Sequence, residues 1–309
     1  MEKLDLNCKA AAPEDIPVAQ MSLCTLCPRN CAAQRTPLAG NGFCRMGSDP
    51  VIAHAAPHFW EEPCISGTRG SGTVFFTGCV LRCAYCQNGE ISHRLLGRRI
   101  SVPELADVFK RLEGEGVHNI NLVTPTHFVP AILDALALYR PSIPIVWNTG
   151  GYEKAETLKL LDGVVDVYLP DLKHFSPAMG KLCAGAPDYF EYASQAIPEM
   201  CRQTGPAMYN AEGLMHKGTL VRHLILPGLT NESVRLLDWI AQSLPSGTPV
   251  SLMRQYVPMN GVNIPGLDRR ITEKEYNRVR NHMLSLGLPG YEQEAEAADT
   301  AYVPPFSGQ

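Results

Sequence analysis

The sequence predicts an α/β protein built around a parallel sheet, and two observations favour this class. From Gly72 onward, short apolar runs typical of strands alternate six times with stretches whose apolar residues recur at helical spacing. The hydrophobic content of 45% over 309 residues is ordinary for a large globular domain with an appendage. Alternation of this kind gives a parallel sheet with covered faces. Six units fit either an open doubly wound sheet or a partial (β/α)6 barrel.

The six units follow one another between residues 72 and 287. The first predicted strand is the run GTVFFTG, and the helix after it begins at Ser101, a residue type that favours the N-cap. Gly163 is placed to close a later helix. The pattern predicts strands over 72–78, 118–124, 143–149, 164–173, 219–228 and 248–258, and helices over 101–116, 128–139, 152–163, 187–203, 231–244 and 271–287.

Composition divides the chain into four parts. Residues 1–20 carry Pro, Ala and charge without periodicity, and predict a flexible arm. Residues 21–70 form a Cys-rich, Gly- and Pro-rich segment that we expect to bind a metal or a cluster and to hold little regular structure. Residues 71–289 contain the strand–helix units, and residues 290–309 form a polar, Pro-rich tail.

Charge and hydropathy exclude several classes of function. The net charge of −4 gives no sign of a nucleic-acid surface. No apolar run has the roughly 18 residues that a membrane helix needs, and the first 20 residues lack the basic start and apolar core of a secretory signal. We therefore expect a cytoplasmic location. The chain has 11 Cys, and in that compartment they indicate metal or catalytic use rather than disulfides.

Three cysteines at the end of the first predicted strand carry the chemistry. Cys79, Cys83 and Cys86 lie in TGCVLRCAYCQN with the spacing Cys-x3-Cys-x2-Cys. Three thiolates can hold three irons of a [4Fe–4S] cluster, whose full ligation needs four. No fourth Cys lies nearby in sequence, so one iron keeps an open position for a ligand. A structural zinc site, the alternative, normally closes with four ligands and fits this cysteine triad poorly.

This spacing, with Tyr85 before the last Cys, resembles the radical S-adenosylmethionine (SAM) enzymes. The resemblance implies a partial (β/α)6 barrel, a [4Fe–4S] cluster on the triad, and SAM bound to the open iron through its amino and carboxylate groups. It implies that an electron from the cluster cleaves SAM and yields a 5′-deoxyadenosyl radical that abstracts hydrogen from a substrate. An electron donor such as flavodoxin or ferredoxin is implied as a partner.

Polar residues follow the predicted strands at their carboxyl ends, where ligands of both parallel folds bind. Given the resemblance, Lys173 or Arg254 suits the SAM carboxylate, and Tyr85 with the Leu226-Pro227-Gly228 turn suits the adenine. Thr124 with backbone carbonyls suits the amino group, because the Gly-Gly-Glu that many family members carry there is absent. The expected SAM-binding residues are Tyr85, Thr124, Thr126, His127, Asn148, Asp171, Lys173, His223 and Gln255, with the catalytic residue itself unassigned.

Several separated motifs match a narrower family in order. The stretch from Glu61 to Ser92, with NLVTPTHF, WNTGGYE, YLPDLKHF, RHLILPG and SLMRQYVP, resembles the PflX-like proteins over about residues 21–287. Those proteins are described as pyruvate formate-lyase activating enzymes, which implies a glycyl radical enzyme as partner. Many such activases insert ferredoxin-like cysteines after the triad, but residues 87–117 contain no Cys here.

A second set of cysteines lies upstream. Cys24, Cys27, Cys31 and Cys44 have the spacing Cys-x2-Cys-x3-Cys-x12-Cys in a Gly- and Pro-rich segment. Four thiolates can close a tetrahedral zinc site or hold an accessory iron–sulfur cluster, and the spacing does not choose between them. We call these four residues the N-terminal cysteine set.

Three hypotheses on function follow. The first is radical SAM chemistry on a protein or peptide substrate, with activation of a glycyl radical enzyme as its most specific form. The second keeps the radical chemistry and assigns a small-molecule substrate. The third is a non-enzymatic zinc or iron–sulfur scaffold that binds a partner.

Overall fold

The computed structural model describes residues 23–259, 262–293 and 306. The predicted arm at residues 1–20 and Cys8 lie outside the described residues. Along the described ranges the elements are β1 (Val51–His58), α1 (Pro63–Ser66), β2 (Ser71–Phe76), α2 (Gly89–Ser92), β3 (Arg98–Arg99), α3 (Val102–Gly114), β4 (Ile120–Val123), α4 (Val129–Leu138), β5 (Ile145–Thr149), α5 (Ala155–Lys159), β6 (Val167–Pro170), α6 (Pro177–Ala184), α7 (Tyr189–Thr204), β7 (Met208–Tyr209), β8 (Met215–Thr219), β9 (Val221–Leu224), α8 (Thr230–Ser243), β10 (Val250–Met253), α9 (Glu273–Ser285) and β11 (Gly290–Glu292).

Two sheets share one curved layer of parallel strands. The larger has the order β3-β1-β2-β4-β5-β6-β8-β7, and the smaller has the order β11-β10-β9. Strands β2, β4, β5 and β6 pair in parallel, as do β9 and β10. A parallel bridge between Asp171 and Arg222 connects β6 to β9 across the gap. The six predicted strands therefore line up as a partial (β/α)6 barrel, and the predicted fold class is confirmed.

The two sheets are joined by one nearly continuous segment of chain that contains β8 of the larger sheet and β9 of the smaller sheet. Only Leu220 separates β8 from β9, and its N–H donates to Tyr168 O on β6 at 2.9 Å. The run first pairs with β6 and then turns to pair with β10. The sequence predicts this run as a single fifth strand over 219–228, and its pairing places the end of β9 inside the barrel.

A capping residue determines where α3, the helix after the first barrel strand, begins. Ser101 accepts a hydrogen bond from the Glu104 N–H while the Glu104 carboxylate accepts from the Ser101 N–H, a reciprocal capping box that fixes the start of α3. Leu105, Phe109 and Leu112 then fall on the face of α3 that packs on the sheet. Helix α5 is shorter than the predicted 152–163, and α6 is an additional helix after β6.

The expectation of little regular structure over residues 21–70 is wrong for β1. This eight-residue strand pairs antiparallel with β2 and covers an edge that would otherwise be open. Its sequence VIAHAAPH has little β propensity, so pairing rather than local preference makes it extended. The tail also contributes structure, because β11 pairs in parallel with β10 and Phe306 packs against Phe75. None of the helices in the described ranges is long and apolar enough to cross a bilayer.

Candidate active site

The carboxyl ends of the parallel strands surround a cavity of about 230 Å³. The cysteine triad lies on one side of it, and β1 with the residues that follow β1 lies on another. The polar and aromatic residues that line the cavity are His58, Trp60, Glu61, Phe75, Tyr85, Gln87, Asn88, Thr124, Thr126, Asn148, Thr149, Asp171, Lys173, Arg222 and Gln255. This is the strand end at which parallel α/β folds bind their ligands.

The triad is presented by the loop that leaves β2. Backbone N–H groups of Leu81 and Arg82 approach Cys79 Sγ at 3.3 and 3.5 Å, and the Ser92 hydroxyl donates to Cys86 Sγ at 3.4 Å. Burial raises the pKa of the Cys83 thiol; the Lys173 ammonium opposes this shift, and the neighbouring Cys79 and Cys86 add to it. All three cysteines thus line the cavity, and the sulfurs of Cys79 and Cys86 receive N–H and O–H donors of the kind that stabilise thiolate ligands.

The triad fits the cluster that its spacing predicts. It offers three soft sulfur donors on one wall of a cavity, with room in front of them for a fourth ligand. Within the part of the chain that the structure describes, no three His, Cys, Asp or Glu side chains converge closely enough to hold a single metal ion. That finding concerns single ions, whose ligands stand closer together than those of a four-iron cluster.

A charged network forms the floor of the cavity. Arg222 Nη2 lies 2.8 Å from Asp171 Oδ1 and 2.7 Å from Asn148 Oδ1, and Arg222 also pairs with Glu61. Lys173 Nζ donates to Asp171 Oδ2 at 2.7 Å. Burial opposes ionisation of Asp171, but Arg222 and Lys173 outweigh it and hold the pKa of that carboxyl below its ordinary value. We call Glu61, Asn148, Asp171, Lys173 and Arg222 the floor network.

No sequence pattern identified Glu61 as a site residue. Its carboxylate accepts from Asn148 Nδ2 at 2.8 Å and from Asn121 Nδ2 at 3.0 Å, in addition to Arg222. It reaches the barrel from the segment after β1, where no strand end was predicted. Its one signal in the sequence is its position at the start of the stretch that resembles the narrower family.

Seven of the nine expected SAM-binding residues line the cavity: Tyr85, Thr124, Thr126, Asn148, Asp171, Lys173 and Gln255. Their contacts with SAM stay a prediction. The Tyr85 ring is held in place by a hydrogen bond, because the Tyr85 hydroxyl lies 3.2 Å from His174 Nε2. Arg254, the alternative to Lys173 for the carboxylate, pairs instead with Glu273 and does not line the cavity.

The other two expected residues lie outside the cavity lining. His127 Nε2 lies 2.8 Å from Thr77 O, and burial lowers its pKa to about 3. His223 contacts Leu172 O at 2.7 Å and the Ser233 hydroxyl at 2.8 Å, and burial lowers its pKa to about 4. Both imidazoles are therefore neutral and bonded to the scaffold behind the site.

The N-terminal cysteine set packs against the barrel next to the triad. Burial raises the pKa of Cys27 to about 12, with further contributions from Cys44 and Cys24. Burial likewise raises the pKa of Cys44, with Cys24 and Cys31 nearby. Cys24 and Cys44 are thus close enough to Cys27, and Cys24 and Cys31 close enough to Cys44, to affect the pKa of those thiols. All four are free thiols, with Cys31 exposed and the others part-buried.

Two arginines attach this segment to the site. Arg29 donates to Val80 O at 2.7 Å in the triad loop and to Ala184 O at 2.7 Å at the end of α6. Arg35 donates to His127 O at 2.6 Å after β4. The segment that carries the N-terminal cysteine set therefore contacts both the triad loop and the neighbouring strand end.

The fold and the site together define a partial-barrel enzyme class with a three-cysteine cluster loop at the end of the first barrel strand. The sequence profile of the Radical SAM superfamily matches residues 73–240. The chain belongs to this superfamily, which uses a [4Fe–4S] cluster and SAM.

Individual proteins are similar to this chain in sequence or in fold. The chain is 29% identical over 267 residues to the uncharacterized protein MJ0674 of Methanocaldococcus jannaschii, covering 83% of this chain and 72% of that protein. Its fold is similar to that of a radical SAM methyltransferase from Sphaerobacter thermophilus, with a TM-score of 0.51 and 14% identity over 72% of this chain and 65% of the other. The chain thus spans slightly less than two thirds of the methyltransferase.

A further solved structure is more distant. A domain of pyruvate-formate lyase-activating enzyme from Bacteroides vulgatus matches with a TM-score of 0.36 and 12% identity, covering 62% of this chain and 91% of that domain. At this distance the likeness says nothing about substrate.

Proposed function

We propose that this protein cleaves SAM reductively and uses the resulting radical to abstract hydrogen from a protein or peptide substrate. The observation that carries the proposal is the convergence of the cysteine triad and the floor network on one cavity. When bound, the [4Fe–4S] cluster supplies an electron to SAM, and SAM supplies the 5′-deoxyadenosyl radical. An external donor such as flavodoxin or ferredoxin supplies the electron to the cluster.

In this proposal the residues that line the cavity bind SAM and orient it. Lys173 belongs to the floor network through Asp171 and is close enough to Cys83 to affect the pKa of that thiol, and its ammonium suits a carboxylate. Asn148, Asp171 and Gln255 offer acceptors and donors suited to ribose hydroxyls. Tyr85 is 6% exposed and supplies an apolar wall next to the triad. Burial of these groups lowers the local dielectric, which strengthens each charge–charge contact with the ligand.

A polypeptide substrate is favoured by the rim of the cavity. Phe59 and Trp60 are 52% and 61% exposed, and Trp60 lines the cavity next to Glu61. Exposed aromatic side chains beside a cavity are typical of surfaces that bind another protein. Together with the motifs shared with the PflX-like proteins, this supports a glycyl radical enzyme as the partner. A small-molecule substrate is the alternative that the experiment below distinguishes.

For the N-terminal cysteine set we propose metal or cluster ligation. Its support is the proximity of four thiols in a segment with only isolated β-bridges over residues 24–40. Zinc would require these four side chains to move closer together, because no three of them converge on a single ion in the described structure, and it would then fix the fold of the segment. An accessory cluster could also pass electrons. Iron and zinc analysis of Cys83→Ala protein, purified anaerobically and reconstituted, separates the two metals. If the purified and reconstituted protein contains neither iron nor zinc in stoichiometric amount, ligation by these four cysteines is contradicted.

The test of the main proposal is anaerobic. Protein reconstituted with iron and sulfide is given reductant and SAM, and 5′-deoxyadenosine is measured. Wild type should form it and Cys83→Ala should not, while Cys201→Ala, a buried cysteine on α7, serves as a matched control. Formation of 5′-deoxyadenosine by Cys83→Ala at the wild-type rate would contradict the proposal.

A second measurement addresses the substrate. A candidate glycyl radical enzyme labelled with deuterium at its glycine α-carbon should transfer deuterium into 5′-deoxyadenosine. Cleavage of SAM without deuterium transfer from any such protein would favour the small-molecule alternative. Stoichiometric zinc on the triad with no SAM cleavage would instead favour the non-enzymatic scaffold.

A further inference from the structure

An aromatic side chain from the tail fills an apolar slot beside the cavity. Phe306 is 8% exposed and packs against Phe75, Ile91 and Val123, with the partly buried Ala53 next to them. The centroids of the Phe306 and Phe75 rings are 5.5 Å apart, and the rings meet edge to face at an interplanar angle of 72°. Aromatic pairs prefer this geometry, and an aliphatic side chain gains nothing from it. We call Phe75, Ile91, Val123 and Ala53 the aromatic slot.

The aromatic slot is continuous with the cavity and with the triad loop. Phe75 on β2 and Val123 at the end of β4 belong to the slot and also line the cavity. Ile91 on α2 is next to Ser92, whose hydroxyl donates to Cys86 Sγ at 3.4 Å. A ring in the slot therefore contacts both the cavity wall and the short helix that supports the triad.

The side chain in the slot comes from outside the strand–helix units. Phe306 lies beyond β11, the last of the described elements, and its backbone belongs to neither a helix nor a strand. The slot is therefore open on the side where the Phe306 backbone reaches it. The opening that admits this backbone has room for the backbone of another polypeptide in its place.

One ring is an anchor that another ring can replace. Burial of a single aromatic side chain is favourable but modest, so such a contact opens and closes reversibly. A tether raises the effective concentration of Phe306 at the slot to about the millimolar range. A small peptide must compete with this concentration, whereas a protein that makes further contacts at the rim of the cavity overcomes it.

We propose that the aromatic slot binds an aromatic side chain of the polypeptide substrate, and that Phe306 occupies the slot until the substrate displaces it. This inference rests on the proposed action on a polypeptide. Because the slot and the cavity share Phe75 and Val123, the aromatic residue of the substrate is close in sequence to the residue that reacts. Polypeptides without such a residue do not displace Phe306, so the slot contributes to substrate selection.

The test is equilibrium binding of two peptides to reconstituted protein without reductant, followed by ligand-observed NMR. The probes are acetyl-Gly-Phe-Gly-amide and acetyl-Gly-Ala-Gly-amide. Phe306→Ala should bind the first peptide at least about tenfold more tightly than wild type, because the slot is then free in every molecule and apparent affinity scales with the free fraction. Binding of the second peptide should not change. Phe306→Leu loses only the edge-to-face contact and should give a smaller gain in the same direction.

Two further variants locate the binding site. Ala53→Asp, added to Phe306→Ala, places a charge beside the slot and should remove the gain in affinity. Phe190→Ala is the matched control, because Phe190 packs against Phe175 and Trp239 and does not line the cavity. It removes a packed aromatic ring elsewhere in the protein and should leave the binding of both peptides at the wild-type level.

Three outcomes overturn the inference. They are unchanged binding of the aromatic peptide in both Phe306 variants, equal tightening of both peptides, and a gain in affinity that persists after Ala53→Asp. In each case 5′-deoxyadenosine formed by wild type, measured separately with reductant, leaves the proposed SAM cleavage standing. Wild type that forms no 5′-deoxyadenosine contradicts the proposed function itself, and the peptide measurements, made without reductant, do not depend on that result.

Discussion

Arg222 and Asp171 face each other in the single parallel bridge described between β6 and β9, and their side chains pair at 2.8 Å within the cavity floor. The bridge joins the two sheets of the partial barrel, and the same two residues contribute charged side chains to the cavity floor. The pairing of β6 with β9 and the charge balance of the cavity floor therefore both involve one guanidinium. Glu61 and Asn148 complete its contacts from two further elements.

Replacing Arg222 with Met should destabilise the fold strongly. The change leaves Glu61 and Asp171 buried without their shared cation, which typically costs about 3–5 kcal/mol. Glu61→Gln combined with Arg222→Met should recover part of this loss. Denaturant unfolding measures both. Arg202→Met is the control, because its ion pairs with Asp162 and Glu199 are at the surface and should matter far less. Equal effects at Arg222 and Arg202 would contradict the role of the floor network.

Replacing Arg29 with Ala should loosen the triad loop. Arg29 fastens Val80 and Leu81 to the end of α6, so its loss leaves several carbonyls unpaired and should cost roughly 2 kcal/mol. We expect reconstituted Arg29→Ala to lose iron severalfold faster than wild type on exposure to a chelator. Arg69→Ala is the control, since Arg69 donates to Gly116 O away from the cavity. Iron loss at the wild-type rate would show that the loop does not need this brace.

Local pattern was enough to predict the six strand–helix units of a parallel sheet, and the family resemblance selected the partial barrel over an open sheet, but neither predicted the additional elements. The apolar runs, the Ser101 cap and the cysteine triad at a strand end are local signals, and each is found where it was expected. Strand β1 has no such signal, since a run rich in Ala, His and Pro becomes extended only by pairing with β2. Its absence from the prediction follows from the non-local origin of β structure.

The site residues also fall into those that local sequence could predict and those that it could not. Strand-end residues could be named because parallel strands place them at one edge, and most of them line the cavity. Whether a strand-end histidine faces the cavity or the scaffold depends on tertiary packing, so His127 and His223 could not be told from the others. Glu61 lies 161 residues from Arg222 in the chain, and no sequence spacing connects them.

Substitution of two glycines tests how closely the backbone after β5 packs against the backbone at Asp171. Gly151 and Gly163 have positive φ angles of 77° and 75°, so Ala at either position is strained by about 1–2 kcal/mol. A Cβ at Gly151 would also lie 2.3 Å from Asp171 O, whereas nothing lies within 4 Å at Gly163. Gly151→Ala should therefore cost about 1–3 kcal/mol more than Gly163→Ala. Thermal or denaturant unfolding of the two variants measures the difference in their free energies of unfolding. Equal losses of stability would mean that the backbone at Asp171 shifts without cost to accommodate the added methyl group.

The buried His223 should make stability depend on pH in a defined window. Its folded pKa of about 4 lies below its ordinary value of 6.5, so between these values the unfolded state binds the extra proton. Stability supplied by the neutral imidazole is therefore present above pH 6.5 and is lost as the pH falls toward 4. Glu153 and Glu62, with pKa values raised to about 7 by burial, act with the opposite sign between about pH 4.5 and 7.

A variant isolates the histidine from these opposing groups. Wild type and His223→Gln are unfolded in denaturant at several pH values between 4 and 7.5. The variant should take up about one proton fewer on unfolding at pH 5, so the stability gap between the two proteins should narrow by about 1.4 kcal/mol per pH unit as the pH falls through the window. His216→Gln, at an exposed position, is the control. A gap that stays constant from pH 7 to pH 4.5 would show that His223 is not held neutral by its burial against Leu172 and Ser233.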